Sequence, residues 1–140
     1  MHRIALALIL GLFLSACSLH RGETPPPPPT LGERLDQLYR EDRLAWRQEI
    51  ERLLYKEEAI PPKHLALAIK YFNHQRQKDL CLEATWRYLQ AKARNGSLSQ
   101  ADRQLFRLYA EKALSGGSAL MNRRLHDLCV YLEEEPACRN

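Results

Sequence analysis

Cysteine and histidine are the residue types in this sequence with the most specific chemistry, and their spacing argues against a catalytic or metal site. The chain has four cysteines and five histidines. No two histidines stand at HExxH or zinc-finger spacing, and there is no CxxC motif. There is also no GxSxG turn and no glycine-rich phosphate loop. The sequence therefore predicts no catalytic residue, no metal site and no cofactor, and we do not expect an enzyme.

The first cysteine closes a segment with the layout of a secretory signal. His2 and Arg3 give a basic start, and residues 4–14 form an apolar run interrupted only by Gly11. Small residues follow, as expected before a signal cleavage site. The apolar run is shorter than the roughly 20 residues that a transmembrane helix needs. We therefore interpret residues 1–16 as a cleaved signal peptide.

The sequence Leu14-Ser15-Ala16-Cys17 resembles the lipobox of bacterial lipoproteins. The resemblance implies cleavage before Cys17, a diacylglyceryl thioether on its sulfur and a third acyl chain on its amine. Several acyl chains anchor a protein to a membrane almost irreversibly. Because Ser18 rather than Asp follows the cysteine, the resemblance favours the outer membrane, with the protein on its periplasmic face. The alternative is an ordinary signal followed by an unrelated cysteine.

Residues 17–30 are predicted to be a tether between the lipid and the folded body. Pro25 to Pro29 are five consecutive prolines, which favour a stiff polyproline II segment. Fully extended, the stretch after Cys17 would span roughly 40 Å. The alternative is a docking motif for a proline-binding module.

The composition is that of one folded domain rather than of a nucleic-acid-binding protein. Of the 140 residues, 45% are hydrophobic and 27% are charged, as in ordinary globular domains. The net charge of +4 is too small for a concentrated basic face. There are only 6 glycines, and five of the 8 prolines lie in the tether. So few turn residues argue against a sandwich or barrel of many short strands.

Residues 31–140 are predicted to form an all-α domain, a compact bundle of about five helices around one core. The first helix is expected from Leu31 to about Glu58. Asp42 falls within its apolar stripe, where a buried carboxylate would need a partner and could have a shifted pKa. We favour an edge position, where Asp42 reaches water or pairs with an arginine. Pro61-Pro62 separates it from the second helix. The remaining helices are bounded by predicted caps: Asp79, the Ser99–Asp102 capping box and Ser118 at N-termini, and Asn95-Gly96 and Gly116-Gly117 at C-termini.

A helical-hairpin repeat is the alternative architecture. Lys112-Ala113-Leu114, Gly117, Ala119 and Leu125 resemble a Sel1 or tetratricopeptide-type repeat. The resemblance covers only residues 112–125, and His126 stands where the family has a glycine. A true repeat would imply a concave surface for a protein segment.

Three cysteines remain after Cys17, and one disulfide is expected in the oxidising periplasm. Alternating helices place Cys129 near the C-terminal tail that carries Cys138, so we favour Cys129–Cys138. Connectivity cannot be deduced from sequence alone. Cys81–Cys138 therefore stays open as the second possibility and Cys81–Cys129 as the third. The apolar surroundings of Cys81 suit a buried thiol.

Charges around the last helix are the candidate contacts for a partner. Arg123 and Arg124 lie near its start and Glu133 to Glu135 near its end, opposite to the preference of the helix dipole. The residues selected as partner contacts are Arg123, Arg124, Glu133 and Glu134. A solvated surface is the simpler interpretation of the same charges.

These features favour a protein–protein adaptor for assembly of an envelope or secretion complex. In layout the chain resembles pilotins, small helical lipoproteins that bind the helical tail of a secretin subunit in a groove. The partners expected are thus the membrane, through the anchor, and an envelope protein such as a secretin or another secretion-system subunit, with no nucleic acid. The alternatives are a regulator of a cell-wall enzyme and a structural or lipid-handling lipoprotein.

Overall fold

The computed structural model describes residues 24–139. The predicted signal peptide and Cys17 lie outside these residues, so cleavage and lipidation stay predictions. The described part of the tether, residues 24–30, is exposed and has no regular secondary structure. The first helix begins directly after it, at Leu31.

The described chain consists of six α-helices and one short 3₁₀ turn, which confirms the all-α fold. The helices are α1 Leu31–Glu41, α2 Arg43–Tyr55, α3 Pro62–His74, α4 Lys78–Arg94, α5 Gln100–Leu114 and α6 Ala119–Cys129, and the 3₁₀ turn is Pro136–Cys138. Within residues 24–139 there is no strand, and none of the helices combines the length and hydrophobicity needed to span a membrane.

Asp42 divides the predicted first helix into α1 and α2. Its backbone leaves the helical region (φ −151°, ψ 89°), and its N–H still donates to Leu38 O as the end of α1. Its carboxylate accepts the N–H of Ala45 at 3.1 Å and so caps α2. The prediction of one helix from Leu31 to about Glu58 is therefore wrong. The short aspartate side chain competes for backbone N–H groups and favours an N-cap over a helix interior.

The other helix ends follow local signals. Ser99 and Asp102 form the predicted capping box, with each side chain accepting the other's backbone N–H at 3.0–3.1 Å. Ser118 caps α6 by accepting the N–H of Met121. Gly96 (φ 63°) follows α4 and Gly116 (φ 106°) follows α5, in the left-handed conformation that glycine adopts without strain.

Two further helix ends differ from the prediction. The N-cap of α4 is Gln77, so Asp79 lies inside the first turn, where its negative charge suits the helix dipole. The last helix ends at Cys129. Glu133 and Glu134 therefore lie beyond it, and the expected conflict of these two glutamates with its dipole does not arise.

The buried apolar residues form two clusters rather than the single predicted core. The first is built by α1, α2 and α3 and includes Leu35, Trp46 and Phe72. The second is built by α5, α6 and the chain after α6 and includes Phe106 and Leu128. The long helix α4 contributes to both clusters. Because its two faces pack against different helices, it forms the middle of the domain.

Candidate functional site

A groove of about 430 Å³ runs along α4. Its other walls are the loop between α2 and α3 and one side chain of α6. We call it the α4 groove. Its apolar lining residues Ile60, Leu65 and Trp86 are buried, whereas the charged residues Glu57, Glu58 and Arg94 are exposed. The groove thus has an apolar floor and a charged rim.

Arg87 holds the loop wall of the groove in place. Its guanidinium donates to the backbone carbonyls of Leu54 at 2.5 Å, Glu58 at 3.2 Å and Leu53 at 3.4 Å. The last carbonyls of an α-helix have no partners within the helix. The carbonyls of Leu53 and Leu54 accept backbone N–H groups of the following loop, and Arg87 adds donors to them from the neighbouring helix. Its side chain is 13% exposed. A rigid planar fork with five donors fits this task better than an ammonium group would.

Glu83 links two arginines at the opposite side of the groove. Its carboxylate accepts hydrogen bonds from Arg124 on α6 at 2.5 and 3.3 Å and from Arg87 at 3.1 Å. Burial raises the pKa of Glu83, but the hydrogen bonds and charges of the two arginines outweigh burial, so that the pKa lies below its ordinary value. The guanidinium of Arg124 also lies 5.3 Å from the centre of the Trp86 ring, within the range of a cation–π contact.

Charge is distributed unevenly between the two walls. The wall formed by α4 and α6 carries Arg87, Arg94 and Arg124 against the single carboxylate of Glu83. No ion pair within residues 24–139 engages Arg94. The loop wall carries Glu57 and Glu58. The helical wall is therefore positive and the loop wall negative.

The structure joins Cys129 and Cys138 in a disulfide, the pairing that the sequence analysis favoured. Their Cα atoms are 5.3 Å apart. The bond closes the chain that follows α6 back onto the helix. Cys81 is free and half-buried, and its thiol lies 3.7 Å from Ile69 O. Burial raises the pKa of Cys81, which disfavours the reactive thiolate.

The four predicted partner contacts fall into two groups. Arg124 and Glu134 make ion pairs within the chain, Arg124 with Glu83 and Glu134 with Arg103. Arg123 and Glu133 are exposed. Of the four, only Arg124 lines the α4 groove.

Glu135 anchors the C-terminal segment, whereas in the sequence it is only one of three consecutive glutamates. Its side chain is 3% exposed and accepts hydrogen bonds from Arg107 at 3.0 and 3.4 Å. Arg103 lies 3.5 Å away. Together with the disulfide, these bonds fix the C-terminal segment on α5. The partners lie 28 and 32 residues from Glu135 in the chain, so no local pattern could have indicated them.

The groove combines a buried apolar floor with charged walls. Within residues 24–139, no group of three or more histidine, cysteine, aspartate or glutamate side chains is placed to hold a metal ion. An apolar floor between walls of opposite charge can bury an apolar side chain and orient a charged segment. Comparison with protein-family models, with curated proteins and with solved structures finds no match to this chain.

Proposed function

We propose that this protein is a periplasmic adaptor, anchored to the outer membrane through Cys17, that binds a helical segment of an envelope-complex subunit in the α4 groove. The observation that carries the proposal is the groove itself, whose buried floor of Ile60, Leu65 and Trp86 lies between a positive and a negative wall. An amphipathic helix presents apolar residues along one face and charged residues beside them. Its apolar face fits the floor and its charges fit the walls.

The internal bonds around the groove support a preformed binding site. Arg87 fixes the loop wall, and the Glu83–Arg124 pair fixes α6 against α4. A site that is already ordered loses less conformational entropy when a partner binds. A secretin or another secretion-system subunit remains the class of partner proposed, as the resemblance to pilotins in layout implies.

The proposal is tested by purification of the tagged, lipidated protein from detergent-solubilised envelopes, with mass spectrometry of the proteins that co-purify. Cys17→Ser gives the unanchored form, and Arg94→Glu reverses the exposed charge on the positive wall. Lys70→Glu makes the same charge change at an exposed residue of α3 that does not line the groove.

We expect a stoichiometric envelope-machine subunit with the native protein and with Lys70→Glu, and at least a tenfold loss with Arg94→Glu. That factor corresponds to about 1.4 kcal/mol of binding free energy. Equal loss in both charge variants, or no co-purified subunit, would contradict the proposal. Stoichiometric recovery of a cell-wall enzyme would instead support the alternative of a regulator.

A further inference from the structure

His64 lies at the junction of the first three helices and is held by two of them. It belongs to α3, is 1% exposed, and contacts Trp46 of α2 and Asp36 of α1. The indole nitrogen of Trp46 is 3.1 Å from His64 Nδ1, and Asp36 Oδ1 is 2.7 Å from His64 Nε2. Trp46 is itself 1% exposed, so water cannot replace a hydrogen bond lost between the two rings.

The donors and acceptors determine which ring nitrogen of His64 carries the proton. An indole N–H can only donate a hydrogen bond, so His64 Nδ1 must accept and is unprotonated. The proton of the neutral ring is therefore on Nε2, from which it is donated to Asp36. The three side chains thus form one directed chain, from Trp46 through His64 to Asp36.

A second proton on His64 is incompatible with this arrangement. Protonated Nδ1 would be a donor facing the N–H of Trp46 at 3.1 Å, and two buried donors would be left without an acceptor. The gain on the other side of the ring is limited, because Lys63 Nζ already lies 3.0 Å from the same oxygen of Asp36. The side chain of Asp36 is 39% exposed. A charged His64 ring that kept its bond to Asp36 and moved outward would therefore come into contact with water.

The charged groups around the two rings leave His64 as the side chain that changes. Hydrogen bonds from Lys63 and His64 lower the pKa of Asp36, which favours its negative form. Arg43 stacks on Tyr39, and Arg47 pairs with Glu51 and lies over Tyr71.

On the side of α4, the titratable groups at this cluster are Cys81 and Tyr88. Burial raises the pKa of both, that of Tyr88 to about 12 together with its bond to Asp102. Both are thus uncharged in acid.

We propose that His64 is a proton-sensitive latch between α2 and α3, closed while Nδ1 accepts the hydrogen bond of Trp46 and opened when Nδ1 takes a proton from solvent. The proton adds to the free electron pair of Nδ1, and its removal restores the bond. Opening separates the two helices that carry the loop wall of the α4 groove, and Leu65, the next residue after His64, lies on the groove floor. This regulation of the groove rests on the proposed function, whereas the latch does not.

Nuclear magnetic resonance of the ¹⁵N-labelled full chain tests the latch directly. We expect His64 to be protonated only on Nε2 at neutral pH. On acidification the Trp46 indole signal should shift with the same midpoint as the His64 ring, and amide protection in α2 and α3 should fall about fivefold, the factor that corresponds to one lost hydrogen bond. Trp86→Phe assigns the two indole signals. His64→Gln keeps an oxygen acceptor that does not titrate and should make the Trp46 signal independent of pH.

The latch would be overturned by a proton on His64 Nδ1 at neutral pH, or by a Trp46 signal that does not follow the His64 titration. Both results can be measured on the native protein if His64→Gln does not fold. A photoreactive residue in place of Gln90, which lines the groove, gives a separate measurement. The amount of cross-linked partner is measured at several pH values. If no partner is captured at any pH, the proposed function fails while the latch is still decided by resonance. If capture is independent of pH across the His64 titration, the regulation of the groove is overturned.

Discussion

Glu83 on α4 and Arg124 on α6 lie 41 residues apart in the chain and form a two-bond ion pair beside the α4 groove. The arginine also lies over the ring of Trp86. The pair therefore joins two helices, covers an aromatic residue of the groove floor and sets the charge of the helical wall.

The ion pair predicts an acid-dependent contribution to stability. Because the pKa of Glu83 is lower in the folded chain than its ordinary value of 4.5, the pair stabilises the fold above about that pH. This stabilisation is lost as the pH falls through the folded-state pKa. We expect Glu83→Gln to lower the free energy of unfolding by about 1–3 kcal/mol at neutral pH, with a difference from native that shrinks in acid.

Urea unfolding at a series of pH values measures this dependence. Glu133→Gln is the matched control, because Glu133 is exposed and makes no ion pair within the described residues. A difference between Glu83→Gln and native that stays constant down to pH 3 would show that the carboxylate charge is not the cause.

Arg87→Lys should loosen the loop wall of the groove. A lysine ammonium cannot reach the carbonyls of Leu53, Leu54 and Glu58 together, so the end of α2 and the loop after it lose donors from α4. The backbone N–H groups that Leu53 O and Leu54 O also accept remain. We expect a loss of about 1–3 kcal/mol in unfolding free energy and faster amide exchange in residues 56–61. Arg47→Lys is the control, since Arg47 makes a similar ion pair four residues along its helix but bonds to no carbonyl. Equal effects of the two variants would argue against this role.

Tyr88 should ionise late in an alkaline titration. Its hydroxyl donates to Asp102 Oδ1 at 2.6 Å, and burial together with this bond raises the pKa of Tyr88 to about 12. The pKa is higher in the folded chain than the ordinary 10.0, so the contribution is present below pH 10 and is lost as the pH rises towards 12. Tyrosinate absorbance in native protein and in Tyr88→Phe measures it. The prediction fails if Tyr88→Phe keeps all of the absorbance change that the native protein shows near pH 12. Tyr55→Phe is the control and should leave that change as it is in the native protein.

The Cys129–Cys138 disulfide should stabilise the chain through its short loop. The two cysteines are nine residues apart, and closing a loop of that length contributes about 2–3 kcal/mol by restricting the unfolded state. Reduction of a Cys81→Ser variant, which has no other thiol in the described chain, should lower the free energy of unfolding by this amount. An unchanged unfolding curve after complete reduction would contradict the prediction.

Several helix ends could be predicted because their signals are local. Ser99 and Asp102 satisfy each other's backbone within four residues, and Gly96 and Gly116 adopt backbone angles that suit glycine. Asp42 was misjudged because its place in an apolar stripe favoured a continuous helix, whereas its cap bond to Ala45 broke it. A cap and a solvated edge position have the same sequence signal.

The groove could not be predicted because its walls come from three separate parts of the chain. The bonds of Arg87 to the end of α2 and to the loop after it span 29–34 residues. The sequence shows only that Glu83 and Arg87 stand four residues apart on one helix. It likewise shows that Arg124 is a charge near a helix start. It does not show that Glu83 forms an ion pair with this charge.

Site-specific photo-cross-linking in living cells tests most directly whether the α4 groove binds an envelope protein. A photoreactive residue replaces Gln90, which lines the groove, or Lys70, which is exposed elsewhere. The account predicts one discrete adduct from position 90, present with the native anchor, reduced in Cys17→Ser and in Arg94→Glu, and missing from position 70. Equal adducts from both positions, or none from position 90 in folded and anchored protein, would contradict it.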